Sequence, residues 1–494
     1  MKGNENAQED FFNLWVYGKH LPKDHPLLQI KKEVDFSFVD EETKDLYSDH
    51  MGRPAYPAGV LFRMLFLEFF DNLSDVEVAS QVQYNLVYRA FVGLGMDDPT
   101  PDDTTLVVFR QRLGQDRFER LFDRVVEQCE KLGLLRKRLK IVDATAVVAD
   151  VAIPNTVNLL RQGRRVILRE IAKRDKKTVR RLIKRYSTKE RLSQKPKAEE
   201  LVHEVELSRD FIQELKGHYA QTGKCLLGEG IEEKIDLLEK VIDPQKGEAK
   251  PVSFIDLDAR HGRKSPKRMF SGYKAHIVED ESEIITSVEV LQGNQNEGSE
   301  LASLLEKEEK KNLEAEAVVA DALYDSADNR SLIHQKKMRA YIPLRHARKH
   351  QDNFRYIKGR DQLKCPLGEF SIGKIRQEEG YLYYFSEIDC RGCSKKDLCI
   401  GDSSQRARVW LSDDYFLKVM DDEVRRKEAL AQRKMIERKF GEAKKWHGMG
   451  RARYRGKWRV AIQVLMTFLV INVKRMAKLI LVPRASPELA TATG

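Results

Sequence analysis

Residues 139–151 read Leu-Lys-Ile-Val-Asp-Ala-Thr-Ala-Val-Val-Ala-Asp-Val. The run is rich in β-branched and apolar residues, which predicts a largely buried strand. Asp143 lies inside it. A carboxylate there is costly unless it is paired, hydrogen-bonded or bound to a cation. The strand also marks a change of pattern. Upstream, Val60 to Phe70 predicts a helix with a broad buried face, and Ser74 with Glu77 resembles a capping box. Asp97 to Pro101 predicts a turn, and Asp103-Thr104-Thr105 opens a further helix. Residues 51–135 thus suggest a helical bundle, with DNA contact one option. Nearer the start, a short edge strand is expected around Val34 to Phe38. Downstream, Gly163 to about Leu238 has helical periodicity and many charges, which suggests an insertion.

A sheet pattern returns after Pro251. Phe270 to Val278 and Glu283 to Val290 predict two neighbouring strands. A helix is expected over Glu297 to Glu309, a buried strand over Ala315 to Ala320, a helix over Ser326 to Lys337 and a strand over Met338 to Pro343. Residues 350–415 form a separate polar and aromatic segment. Helix returns from about Asp421. Strands alternating with helices and insertions predict a mixed α/β core.

The chain has 494 residues, enough for a sizeable core and more than one domain. Hydrophobic residues make up 41%, too many for a fully disordered chain. Six cysteines are too few for a disulfide-dense secreted scaffold. The first residues, MKGNENAQEDFFNLW, hold no apolar signal-peptide core. Ala461 to Val473 is strongly apolar but shorter than the roughly 20 residues that span a membrane. A buried helix and a cytoplasmic protein are therefore expected. The net charge is +11, and it is concentrated. Residues 161–200 hold 16 Lys or Arg against 5 Asp or Glu, and residues 421–460 hold 14 against 6. Either block alone reads as a solvated helical face, but two in one chain favour a polyanion partner.

Three carboxylates stand out. Asp143 is buried in its strand. Asp321 ends the apolar run Ala-Glu-Ala-Val-Val-Ala, at the carboxyl end of a core strand, where sites in α/β folds gather. Glu437 lies on an expected helix beside Met435, Ile436 and Phe440. Carboxylates suit hard cations such as magnesium, and two such ions serve phosphoryl transfer. The bland alternatives are a buried polar contact for Asp143, a turn or cap for Asp321 and a salt bridge for Glu437. Asp325 and Glu442 compete with Asp321 and Glu437 by proximity. Arg433 shares a helix face with Glu437 four residues on, and Lys444 returns near it two turns later.

Other patterns add to these. Cys365, Cys390, Cys393 and Cys399 are candidate ligands of a structural zinc ion, against a bland reading as packed thiols. Cys129 and Cys225 read as isolated. The segment Gly262 to Asp280 offers Lys264, Lys267, Arg268 and Lys274 to phosphate, with His276 expected to be structural. Arg451, Arg453 and Arg455 flank Tyr454 in a basic run that also holds Lys457, Trp458 and Arg459. That run suits phosphate with aromatic packing, or a basic face anchored by its aromatics.

Taken together, Arg53 to Leu94, Thr100 to Leu113, Ile141 to Val147, Val318 to Ser326 and Ile436 to Val460 resemble a bacterial insertion-sequence transposase of the DDE class, with an RNase-H-like catalytic domain. The resemblance covers most of the chain beyond the first 50 residues. It implies that Asp143, Asp321 and Glu437 are the catalytic, metal-binding acids, using Mg2+ or Mn2+. Arg433 and Lys444 match basic positions flanking the family glutamate. Leu430 stands where the related signature often has tyrosine, which leaves no matching tyrosine contact. Tyr324 is a lesser candidate for packing or contact with a DNA end. The implied reaction cleaves and joins phosphodiester bonds at element ends, by hydrolysis and then transesterification. Implied partners are double-stranded DNA with terminal inverted repeats, target DNA and a second copy on DNA, in a nucleoid-associated protein without a membrane. Alternatives are a metal-dependent DNA nuclease and a catalytically inactive DNA-binding regulator.

The resulting layout is an RNase-H-like mixed-sheet core with a helical N-terminal domain, a helical insertion and a small cysteine-containing insertion. The expected boundaries are an extension over 1–50, the helical domain over 51–135 with DNA-end binding as its expected role, and core over 136–160 and 251–349. The basic helical insertion covers 161–250, and the cysteine-containing insertion 350–415. C-terminal catalytic helices span 416–480 and a tail 481–494.

Overall fold

The computed structural model describes residues 11–48, 54–186, 197–222, 228–244, 251–265, 268–343, 354–357, 359–377, 380–400, 404–413 and 423–481. Seven helices come first: α1 (Phe11–His20), α2 (Pro26–Glu33), α3 (Phe38–Thr43), α4 (Ala58–Phe70), α5 (Asp75–Tyr84), α6 (Leu86–Val92) and α7 (Asp103–Lys131). Ser74 and Glu77 form the expected reciprocal capping box at the start of α5. Asp102 caps α7, accepting from the Thr105 amide at 2.7 Å. Gly114, with φ +63, breaks α7 into two helical runs. The edge strand expected at Val34 to Phe38 is not formed. Val34 ends α2 and Phe38 begins α3. Val34, Phe36 and Phe38 are buried because this connection plugs into the aromatic cluster of Phe62, Phe66 and Phe91. Alternating burial, the signature of a strand, here belongs to a link between helices.

The strand that opened the sequence is β1 (Leu139–Val148). Four helices follow it: α8 (Thr156–Ala172), α9 (Lys176–Tyr186), α10 (Ala198–Thr222) and α11 (Gly228–Ile242). Their apolar faces meet in a cluster of their own, built on Leu160, Ile167, Leu182, Phe211, Leu215 and Leu238. The sheet resumes with β2 (Arg260–Ser265), β3 (Arg268–Asp280) and β4 (Ile285–Gln292). After a 3-10 turn over Glu297–Glu300 come α12 (Leu301–Lys310), β5 (Ala317–Val319), α13 (Ala327–Gln335) and β6 (Arg339–Tyr341).

The main sheet is mixed. β3 lies antiparallel to β1 on one side and to β2 and β4 on the other, while β1, β5 and β6 run parallel. Side chains alternate across it, as the strand period requires. Ile141, Ile277, Val288 and Val319 join the cluster shared with α4, α7 and the late helices. Val142, Val278, Val318 and Ala340 join a second cluster beneath α12 and α13. Gly272 permits the close crossing of β3 on β1. Its φ is +147, and a β-carbon there would fall 2.3 Å from the Val147 carbonyl oxygen.

Residues 354–413 form two small sheets, β7 (Arg355–Ile357) with β8 (Gln362–Lys364), and β9 (Gly373–Gln377), β10 (Gly380–Tyr384) and β11 (Arg408–Ser412). Helices α14 (Glu387–Arg391) and α15 (Lys396–Cys399) lie between β10 and β11. The chain then forms α16 (Glu423–Gln432), α17 (Lys434–Trp446) and α18 (Lys457–Leu481). The apolar stretch Ala461 to Val473 is buried throughout, with α18 packed against α4, α7 and β4. Asn472 donates to the Ile285 carbonyl at 2.7 Å and accepts from its amide at 2.8 Å, so a side-chain amide pairs with the edge of β4. Among the described residues no helix is long and apolar enough to cross a membrane.

One buried carboxyl away from the proposed acids gives a pH test. Glu279, on β3, is fully buried, and neither carboxyl oxygen has a hydrogen-bond partner among the described residues. Burial pushes its pKa up to about 8, with Lys439 opposing and Glu283 adding to the rise. The folded chain therefore holds this proton where the unfolded chain has lost it. Stability from this group is full below the ordinary glutamate range and is lost as pH rises through about 8. Glu279→Gln is expected to remove that slope, leaving stability unchanged near pH 4 and raising it by about 5 kcal/mol near pH 9. Parallel urea melts of both proteins across this range would refute the assignment if the difference stayed constant.

Candidate functional site

Strand register brings the first two carboxylates together. Ile141 pairs with Val319 in the parallel β1–β5 ladder, an offset of 178 residues. Asp143 and Asp321 are also 178 apart, two residues further along the same direction. Neighbouring strands lie about 4.8 Å apart, and Asp321 is near enough to Asp143 for its charge to raise the Asp143 pKa. Asp321 follows the end of β5 and accepts from the Leu323 amide at 2.7 Å, capping the 3-10 turn Ala322–Tyr324. The cap role and a site role are compatible, because only one of its oxygens is engaged.

Asp143 is largely removed from water, which pushes its pKa up to about 6. The Ala144 amide, at 2.8 Å, and Arg433 oppose that rise, while Asp321 and Glu297 add to it. Arg433 immediately precedes α17 and reaches Asp143 with Nη2 at 3.7 Å. Lys444, near the other end of α17, donates to Thr145 Oγ1 at 2.6 Å. Burial, and then the charge of Lys264, holds the Lys444 ammonium below its usual range. Helix α17 therefore lies along β1, with its two flanking cations at Asp143 and Thr145.

Glu437 is one turn past Arg433, in the first turn of α17, and is exposed. Its two competitors are engaged in internal contacts. Glu442 accepts from Lys474 at 3.0 Å and from Lys439 at 3.4 Å, and Asp325 pairs with Arg330 at 2.8 Å. Among the described residues, no three His, Cys, Asp or Glu side chains are close enough to hold a metal ion. The donor chemistry still fits a hard divalent cation. Two adjacent carboxylates, one resisting ionisation through burial and repulsion, are what such a cation would relieve.

Beneath the carboxylates lie two residues of lower visibility in the sequence. His276 is fully buried on β3 and stacks on Tyr324, with ring centroids 5.7 Å apart. Burial drives its pKa down to about 3, so the ring is neutral, as expected of a structural histidine. Neither ring nitrogen, nor the Tyr324 hydroxyl, has a hydrogen-bond partner among the described residues. Burial raises the Tyr324 pKa well above its ordinary value, with Asp143, Glu297 and Asp321 adding to the rise. Glu297 was not singled out by the sequence. It looks like any glutamate opening a helix, and only the fold carries it near Asp143.

The basic residues separate into two groups. Lys274 is ion-paired to Glu297 and donates to the Gln295 carbonyl at 2.7 Å. Arg453 donates to Glu68 at 3.0 Å, to Asn72 at 2.6 Å and to the Leu73 carbonyl at 2.9 Å, and covers the Phe69 ring. Tyr454 also donates to Glu68, at 3.3 Å. These two fasten the C-terminal run to α4. Arg268, Arg451 and Arg455 are exposed. Arg451 pairs with Asp150 at 2.9 Å, and Arg455 donates to the Asp150 carbonyl at 3.3 Å. Lys267 and Cys225 lie outside the described residues.

Parts of the chain match known families. Residues 15–112 match the family described as transposase domain (DUF772). Residues 242–473 match the family described as transposase DDE domain. Asp321 and Glu437 fall within the second match, and Asp143 falls between the two. No solved structure matches the chain.

Proposed function

We propose that this chain, which belongs to the DDE transposase domain family, is a DNA transposase that cleaves and joins phosphodiester bonds at the ends of an insertion sequence. Family membership supports nuclease or polynucleotidyl-transferase chemistry, a DNA substrate and dependence on a divalent metal. The observation that supports the finer reading is the β1–β5 register, since Asp143, midway along β1, and Asp321, just past the end of β5, keep the 178-residue offset of that ladder. The strand order, three antiparallel strands continued by two parallel ones, supports an RNase-H-like core.

Asp143 and Asp321 would hold Mg2+ or Mn2+, with Glu437 completing the set from α17. Bound there, a divalent cation supplies the charge that eases deprotonation of the attacking oxygen and steadies the leaving one. Arg433 helps keep Asp143 ionised and faces the phosphate. Lys444 and Lys264 add positive charge beside Thr145. In the first step, a water oxygen bonds to phosphorus and the bond to the 3′ oxygen breaks, leaving a 3′ hydroxyl and a 5′ phosphate. In the second, that hydroxyl gives up its proton and bonds to a phosphorus of target DNA, displacing another 3′ oxygen. One phosphodiester is exchanged for another, and no bond to protein is formed. Arg268, Arg451 and Arg455 are the exposed cations best suited to the DNA backbone, whereas Lys274 and Arg453 are held by Glu297 and Glu68. DNA with terminal inverted repeats, target DNA and a second copy of the chain complete the proposed assembly, in a cytoplasmic, nucleoid-associated protein.

The test uses the full chain, DNA carrying both ends of its element, a target plasmid, and Mg2+ or Mn2+. Strand cleavage followed by joined products is expected. Cleavage without joining would replace this reading with a nuclease. Binding without chemistry would replace it with a regulator.

A further inference from the structure

The small unit over residues 354–413 has a thin core. Its buried apolar side chains are Phe354, Leu363, Tyr383, Phe385, Ala407, Val409 and Leu411. Its sheets have two and three short strands. Units of this size rarely hold their shape on such a core alone, and commonly add disulfides or a structural metal. Cys365, Cys390 and Cys399 pack on the rim of that core, and all the described cysteines are free thiols.

The four cysteines of this unit converge. Cys365, Cys390, Cys393 and Cys399 line one cavity of about 50 Å3, roomy enough for a single ion. Three separate pieces of backbone bring them there. Cys365 opens a tight turn after β8, closed by the Gly368 amide on the Cys365 carbonyl at 2.9 Å. Cys390 and Cys393 flank the end of α14, and Cys399 ends α15. The Lys395 amide donates to Cys393 Sγ at 3.4 Å, the kind of bond that steadies a sulfur carrying negative charge.

We propose that Cys365, Cys390, Cys393 and Cys399 bind one structural zinc ion, which ties the β7–β8 hairpin to the α14–α15 corner. Four thiolates suit a soft, tetrahedral, closed site without an open position for catalysis. The thiols do not stand in ligating geometry without the ion. Each cysteine turns about a single side-chain torsion, Cα–Cβ, which is the motion that would bring its sulfur toward zinc. Binding releases the thiol protons to solvent and oxidises nothing.

The test is independent of transposition. The full chain, purified without chelator from cells grown with added zinc, is analysed for zinc and iron. One equivalent of zinc per chain is expected, and Cys129→Ala is expected to retain it. Cys393→Ser with Cys399→Ser is expected to lose it. After removal of the metal from the wild-type chain, added Co2+ is expected to give sulfur-to-metal charge-transfer bands. A chain without zinc that also gives no such bands overturns the proposal. So does bound iron in place of zinc, or zinc retained by the double variant.

Discussion

Asp143→Asn is expected to bind end-containing DNA as the wild type does, and to cleave it about 1000-fold more slowly. The substitution keeps the side chain's size and removes its charge. What is lost is the negative donor beside Asp321, and with it several kcal/mol of transition-state stabilisation. Folding should not suffer. Asp143 is half-buried and repelled by Asp321 and Glu297, so the neutral amide relieves strain in the free protein, and its melting temperature should be at least that of the wild type. Asp321→Asn should behave alike. The double variant should be little worse than either single one, because residues that act as a unit are not additive. Glu437→Gln is the more demanding test, since Glu437 is exposed and four residues past the arginine that reaches Asp143. Single-turnover cleavage reads all four. Wild-type rates in any single variant would remove that residue from the proposed triad, and a lost melting transition in Asp143→Asn would show that the carboxylate is structural.

Glu204→Ala is expected to melt the helical insertion while sparing the sheet. Glu204 is 1% exposed on α10 and accepts from Arg161 at 2.7 Å and from Arg164 on α8. Burial alone would raise its pKa, but hydrogen bonds from Arg164 and Arg161 outweigh it and hold the carboxyl below the usual range. Removing it leaves two guanidiniums in the interior, at a cost of about 3 to 5 kcal/mol. The insertion has its own apolar cluster, separate from the one that joins sheet and N-terminal helices. The loss should therefore stay local. Hydrogen exchange should accelerate in α8, α9 and α10 and remain slow in β1, β3 and α18. Exchange unchanged in α8 would show that the pair contributes nothing, and exchange accelerated everywhere would show that the two clusters fold as one. Apolar residues of similar size at 161, 164 and 204 should recover much of the loss.

The strands and the two aspartates were legible because burial leaves a strong trace in sequence. An acidic residue within Leu139 to Val148, or at the end of Ala317 to Val319, stands out against its neighbours, and a parallel pairing of the two runs is enough to join them. Glu437 carries no such contrast, since glutamates are ordinary on exposed helix faces. The family pattern singled it out. The basic run from Arg451 to Arg459 shows the opposite difficulty. Charge and aromatics were plain to read, but their direction was not: Arg453 and Tyr454 turn inward to Glu68, whereas Arg451 and Arg455 stay exposed. Val34 to Phe38 failed for a related reason. Alternating burial reports contact with a core, and a connecting segment lying across aromatic rings produces it as readily as a strand.

The position of α18 bears on when this chain finishes folding during synthesis. Residues from Val460 to Ala477 fill the space between α4, α7 and the edge of β4, so helices made first wait for a helix made late. Until that stretch clears the ribosome, the parts of α4, α7 and β4 that it covers lack that cover, and the β4 edge lacks the Asn472 amide. A nascent chain stalled before residue 460 is thus a poor folding unit and a good client for chaperones. A protein truncated there is expected to accumulate as aggregate rather than as a smaller soluble species.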